Sequence, residues 1–260
     1  MIERAAAGLA LAAAIALAAV RAGSLTSGGA LAAAAAGTTA VAAGWRWGVL
    51  LIAFFVTSTA LSRFGAAAKE RRTGGIGAKG GRRDARQVLA NGGTFTLAAA
   101  LSLLAPWPLW FAAGAGALAA AAADTWGTEI GTLAPGEPRL VTTGKRVPAG
   151  TSGAVSPPGL AATLVGALFM GALVCILGEP PRVGTAVAAG GVAGALTDTL
   201  LGALAQERRW CPRCREETEQ HLHRCGTRTV HARGVAWLDN DAVNLLCGVA
   251  GAVVAIALAA

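Results

Sequence analysis

Long runs of Ala, Leu, Val and Gly alternate along this chain with short polar stretches, and the runs carry no polar face. A helix that is apolar all round is buried, either in a large core or in lipid. The runs have the length a helix needs to cross a bilayer, and they predict eight spans, at roughly 5–22, 28–43, 46–62, 87–105, 108–125, 157–178, 183–204 and 238–258. Ala105-Pro106-Trp107-Pro108 separates the fourth from the fifth, a turn with tryptophan at the interface. The first run, with Arg4 before it, also has the form of a secretory signal peptide. Further runs follow at once, so it is read as a span.

The polar remainder falls into three loops, at about 63–86, 126–156 and 205–237. Two spans separate each loop from the next, so all three are expected on one side. The first loop carries Arg63, Lys69, Arg71, Arg72, Lys79, Arg82, Arg83 and Arg86, and this excess predicts a cytoplasmic face with both termini outside. In a prokaryote this would be the inner membrane. The expected fold is all-α, a polytopic bundle of about seven or eight spans, with residues 1–260 as one domain and 205–237 as a Cys/His loop within it.

Composition agrees: 54% of residues are hydrophobic and 14% charged, and the mean hydropathy is +0.55. A soluble domain carries roughly 25% charge. The net charge of +8 sits mostly in loops, which suits membrane lipids as partners and gives no reason to expect nucleic acid. No GxSxG elbow, HExxH pair or dinucleotide-binding glycine pattern is present.

Charge inside or beside a span is costly and points to a polar cavity. Asp124 and Glu129 end the fifth span, and Asp198 lies in the seventh between Thr197 and Thr199. Oxygen ligands of this kind suit Mg²⁺, which keeps waters and substrate phosphates; a structural acid bonded to helix threonines is the alternative. Five residues apart on a helix, Asp124 and Glu129 point about 140° from each other. They can share a site only if the helix bends or ends near Gly127.

Each loop adds a candidate. In the first, Gly74, Gly75, Gly77, Gly80 and Gly81 free the backbone to wrap an anion, with Lys79, Arg82 and Arg83 as phosphate contacts; a solvated basic loop would look similar. Asp84 and Asn91 follow, seven apart on one helix face. In the second, Lys145 and Arg146 precede Thr151 and Ser152 near a span's start, where amides bind anions, although a plain helix cap reads the same. In the third, Cys211, Cys214 and Cys225, with His223 or His221, have the composition of a structural Zn²⁺ site; a redox pair or unligated thiols are the alternatives. Asn240 and Asn244 lie one turn apart at the mouth of the last span.

Four stretches together, GGRRDARQVLANGG, AADTWGTEIGTL, TTGKRVPAGTSGAVSPPG, and DTLLGALAQ with HRCGT and WLDNDAVN, resemble the integral membrane family known as domain of unknown function 92, or the transmembrane protein 19 family. The resemblance covers most of the chain after about residue 50, and the first two spans contribute nothing to it. The family's plant branch is phytyl-phosphate kinase of the plastid, which turns a prenyl monophosphate into a diphosphate. The resemblance therefore implies a prenyl- or polyprenyl-phosphate kinase, with CTP the favoured donor. Asp124, Asp198 and Glu129 would be its catalytic acids, with Mg²⁺ on Asp124 and Asp198. The substrates would be held by Lys79, Arg82, Arg83, Asp84, Asn91, Lys145, Thr151, Ser152, Asn240 and Asn244. The rival expectation is a transporter or lipid-phosphate carrier using the same acids and arginines.

Overall fold

A computed structural model of the chain describes residues 2–74, 76 and 81–260. Each predicted span appears as a helix: α1 (Ile2–Arg21), α2 (Ser27–Ala43), α3 (Trp45–Arg63), α5 (Ala85–Leu104), α6 (Trp110–Leu133), α7 (Pro157–Ile176), α8 (Pro181–Leu204) and α9 (Asn240–Ala259), with a short α4 (Ala66–Thr73) between α3 and α5. Among the described residues, α1, α3, α5, α7, α8 and α9 are long and apolar enough to cross a membrane. Helix α2 has 17 residues, and α6 has 24 but carries the two acids.

Helix α6 is the axis of the bundle. It packs against α3, α5, α7, α8 and α9, and every residue from Phe111 to Ala123 is buried. Alanine and glycine make this possible, because in lipid helices associate through close packing of small side chains. A Cβ at Gly116 would lie 2.4 Å from that of Ala255 on α9, and one at Gly194 on α8 would lie 2.3 Å from that of Ala120. Large apolar side chains turn outward instead, among them Leu97, Leu104, Leu164, Val165, Leu168 and Val253. At one end an aromatic knot closes the core: Trp47 lies 5.4 Å from Phe95 and 5.1 Å from Phe111.

The polar loops are more ordered than their composition suggests. The first contains α4. The second forms a two-stranded antiparallel ribbon of β1 (Arg139–Leu140) and β2 (Ala154–Val155). The third folds into an antiparallel sheet in the order β4-β3-β5, from β3 (Arg208–Cys211), β4 (Glu216–Thr218) and β5 (Val230–Arg233). An all-helical expectation missed these strands, because they are two to four residues long and their burial follows no alternation. The loops meet at one end of the bundle. Arg72 donates to the carbonyls of Thr132, Ala134 and Gly136, the Glu219 amide donates to the Ile76 carbonyl, and the Ser152 hydroxyl donates to the Glu219 carboxylate.

Candidate active site

Under this cap lies a cavity of about 770 Å³. Its polar wall is assembled from Asp124, Thr128 and Glu129 of α6, Asp198 and Thr199 of α8, Asn240 and Asn244 of α9, Gln87 and Asn91 of α5, Lys69 of α4 and Arg83. Thr151, Ser152, Glu219 and Gln220 roof it.

Asp124 and Glu129 share the cavity on an uninterrupted helix, contrary to the expected bend near Gly127. The space wraps the end of α6 and meets both faces. Gly127 has a packing role: a Cβ there would lie 2.1 Å from the Thr163 hydroxyl, so its absence admits α7.

The acids differ in their partners. Glu129 accepts from the Ser62 hydroxyl and pairs with Lys69 at 2.6 Å, in a contact where the two side chains are only 20% and 11% exposed. Lys69 also donates to the Leu61 carbonyl, and Arg83 Nη2 lies 3.3 Å from the Ser62 hydroxyl. Burial pushes the pKa of the Arg83 guanidinium down, while the nearby Glu129 carboxylate opposes that shift. Among the described residues Asp124 and Asp198 make no hydrogen bond or ion pair with protein, yet they are close enough to feel each other's charge, and Asp198 also feels Glu219.

Arg83 is fixed by its backbone. Its amide donates to the Ser24 carbonyl, and its carbonyl accepts from Thr26 at 3.0 Å. A Cβ at Gly29 would lie 2.3 Å from that carbonyl oxygen, so a side chain there would displace the segment. Arg82 turns the other way and donates through Nε and Nη2 to the Leu25 carbonyl at 3.0 and 2.8 Å. Asp84 caps α5 and forms a capping box with Gln87. Lys145 is exposed in the turn between β1 and β2. The cavity wall thus takes in Asp124, Asp198, Glu129, Arg83, Asn91, Thr151, Ser152, Asn240 and Asn244 but leaves out Arg82, Asp84 and Lys145. Lys79, with Gly75, Gly77 and Gly80, lies outside the described residues. Sequence reasoning missed Ser62, Lys69, Glu219 and Gln220. The available sign for Lys69 was its place directly after three alanines, at the start of the run Lys69-Glu70-Arg71-Arg72.

The third loop brings Cys211, Cys214, His223 and Cys225 together, one ligand atom from each lying within 4.8 Å of the others. Cys211 Sγ and Cys225 Sγ are 3.6 Å apart, and His223 Nδ1 is 3.2 Å from Cys225 Sγ. His223 is buried and His221 exposed, which decides between the two. Hydrogen bonds from Thr227 and then His223 pull the Cys225 thiol down to about 5, whereas Cys214, hydrogen-bonded to Cys225, is pushed up to about 11. The cluster connects to the cavity through β3: Arg208 pairs with Glu219 at 2.6 Å and donates to the Ser152 carbonyl at 2.9 Å.

Residues 10–252 match the family described as integral membrane protein DUF92. The chain is 30% identical over 230 residues to Protein PGR of Arabidopsis thaliana, covering 78% of each. It is 33% identical over 166 residues to an uncharacterised membrane protein of Methanocaldococcus jannaschii, covering 64% of this chain and 67% of that one. It is also 30% identical over 216 residues to the chloroplastic Protein VTE6 of Arabidopsis thaliana, covering 80% of this chain and 57% of that one. No solved structure matches it significantly. The chain belongs to the DUF92 family of integral membrane proteins.

Proposed function

We propose that the protein is an isoprenoid-phosphate kinase that transfers the terminal phosphoryl group of a nucleotide, CTP by family analogy, to a prenyl monophosphate. One observation carries this reading. Among the described residues Asp124 and Asp198 face the cavity without a protein cation, in a wall that also supplies Lys69 and Arg83. Uncompensated carboxylates in such a place call for a cation. The similarity to a family with a phytyl-phosphate kinase branch supports the same reaction class.

The donor set fits Mg²⁺, because the available atoms are hard carboxylate and amide oxygens. Among the described residues the Cys/His group is the one cluster of three or more candidate ligands within 4.8 Å, so the three acids do not form a closed cage. That openness suits an ion that takes further ligands from waters and phosphates. Asp124 and Asp198 would hold the ion, which would neutralise charge on the donor phosphates.

Phosphoryl transfer depends on positioning and on neutralising charge. A phosphate oxygen of the lipid attacks the terminal phosphorus of the nucleotide. The bond to the nucleoside diphosphate breaks as the new P–O–P bond forms. The acceptor oxygen is already anionic and needs little general-base help. Arg83 and Lys69 would stabilise the spreading negative charge, Asn240 and Asn244 would orient phosphate oxygens, and Glu129 would hold Lys69 in place. We place the cap in the cytoplasm, where the nucleotide is. Cys211, Cys214, His223 and Cys225 would bind a structural Zn²⁺ that holds the β3–β5 sheet over the site.

The test is turnover in detergent with Mg²⁺. Phytyl, farnesyl and geranylgeranyl monophosphates are offered with CTP, ATP, GTP or UTP, and mass spectrometry looks for the lipid diphosphate. Product with at least one pair is expected. Folded protein that makes none, yet moves a lipid phosphate in proteoliposomes, is a carrier instead.

A further inference from the structure

The cavity does not stop at its polar wall. An apolar arm runs from it between α1, α2 and α3, most of which lies within the family match, contrary to the expectation that the first two spans contribute nothing to the resemblance. Ala16, Ala33 and Ala36 form one side, and Ile52 and Phe55 the other. The arm opens beside Ser24, Ser62 and Arg83. A ligand seated in both parts therefore has a polar head and a hydrocarbon body.

The arm has a floor. Its last residues are Ala12 on α1, Gly37 on α2 and Leu51 on α3. Beyond them α2 closes against both α1 and α3. A Cβ at Gly37 would lie 2.8 Å from that of Ala12, one at Gly8 would lie 2.9 Å from that of Val41, and one at Gly48 would lie 2.8 Å from a Val41 methyl. Leu51 sits twelve residues back from Arg63 at the polar end of α3, a depth of roughly 18 Å at 1.5 Å per residue. By the same rise Gly37 is about 15 Å in from Ser27. The floor thus stands near the bilayer midplane, about 15 Å from the edge of the hydrocarbon.

We propose that this arm binds the isoprenoid tail, and that the contact of α1 with α2 at Ala12 and Gly37 limits the tail to a short prenyl chain, excluding long polyprenyl phosphates. The proposal rests on the kinase reading for the identity of the head group, and on the closed arm for chain length. Small side chains give the slot its width, so a single larger residue near the floor shortens it. Ala36 is buried one residue before Gly37 and borders the slot.

Two measurements on the full-length protein test this. The first uses a geranylgeranyl-sized monophosphate with a diazirine at the end of its tail, photolysed in wild-type protein with and without excess unlabelled geranylgeranyl monophosphate. Competable label on the segments around Ala12, Gly37 or Leu51 is expected. Label on outward residues such as Leu9, Leu31 or Val56, or on α7 and α8, overturns the slot. The second compares turnover of geranyl, geranylgeranyl and undecaprenyl monophosphates in wild type and Ala36→Leu. The geranylgeranyl-to-geranyl ratio should fall by at least about tenfold in the variant. Undecaprenyl phosphate used as well as geranylgeranyl phosphate by wild type overturns the floor. Label in the slot of a protein that forms no diphosphate keeps the slot and removes the kinase reading. Diphosphate formed with label elsewhere does the reverse.

Discussion

Adjacent residues can have opposite uses, and Arg82 and Arg83 are the plainest case. Both belong to one basic stretch and look alike in the sequence. The hydrogen bonds of Arg83 with Ser24 and Thr26 fix which guanidinium faces the cavity and which serves the Leu25 carbonyl. Those bonds join segments about 60 residues apart, a pairing that no local pattern encodes. Glu129 shows the same limit. The sequence marks it as an acid beside a span, and the structure gives it Ser62 and Lys69. A double-mutant cycle of Glu129→Gln and Lys69→Met should therefore show a coupling energy of about 1–3 kcal/mol in thermal unfolding. Additive effects would mean that the pair is not held as described. Lys69→Met alone should lower turnover by about two orders of magnitude, the usual loss of one preorganised charge partner.

Elements divide by the kind of information that specifies them. Spans are written in composition, so all eight expected runs are helices with ends displaced by a few residues, except α6, which continues past residue 125 to Leu133. Its C-terminal turns are polar and look like loop, but Arg72 donates to carbonyls in the last turn and beyond it, and α7 packs against Gly127. The β3–β5 sheet is invisible to periodicity and depends on its cluster of thiols and imidazole and on the Arg208–Glu219 pair, whose side chains are each 4% exposed. Purified protein should carry close to one equivalent of zinc, lost in Cys211→Ser, as read by elemental analysis. Breaking the buried pair with Arg208→Met takes the guanidinium from the Glu219 carboxylate, which keeps its bond from Ser152, and should cost the cap about 3 kcal/mol. Faster proteolysis of the third loop would report it, and unaltered protection would contradict a stabilising role.

For the whole molecule, parity of the spans leads to one composite end, and the contacts among the three loops agree with it. The cavity itself was not legible in the sequence. It arises where α4, α5, α8 and α9 bring polar residues to the end of α6 while α1, α2 and α3 line an apolar side, and helix order along the chain does not fix that arrangement. The positive-inside pattern still gives an orientation to test. Lys145 and Arg146 are exposed on the capped end, so trypsin should cut that turn from the cytoplasmic side of sealed vesicles and leave it uncut in vesicles of opposite orientation.

In the reading proposed above, phosphoryl transfer occurs at Asp124 and Asp198, carboxylates with no hydrogen bond or ion pair to protein among the described residues. It is tested most directly by following the labelled terminal phosphate of a nucleotide into an isoprenyl monophosphate in a single turnover, with wild type beside Asp124→Asn and Asp198→Asn. Labelled diphosphate is expected from wild type, with a loss of at least about 10³-fold in each variant and thermal unfolding near that of wild type. Transfer at the wild-type rate by either folded variant would contradict it.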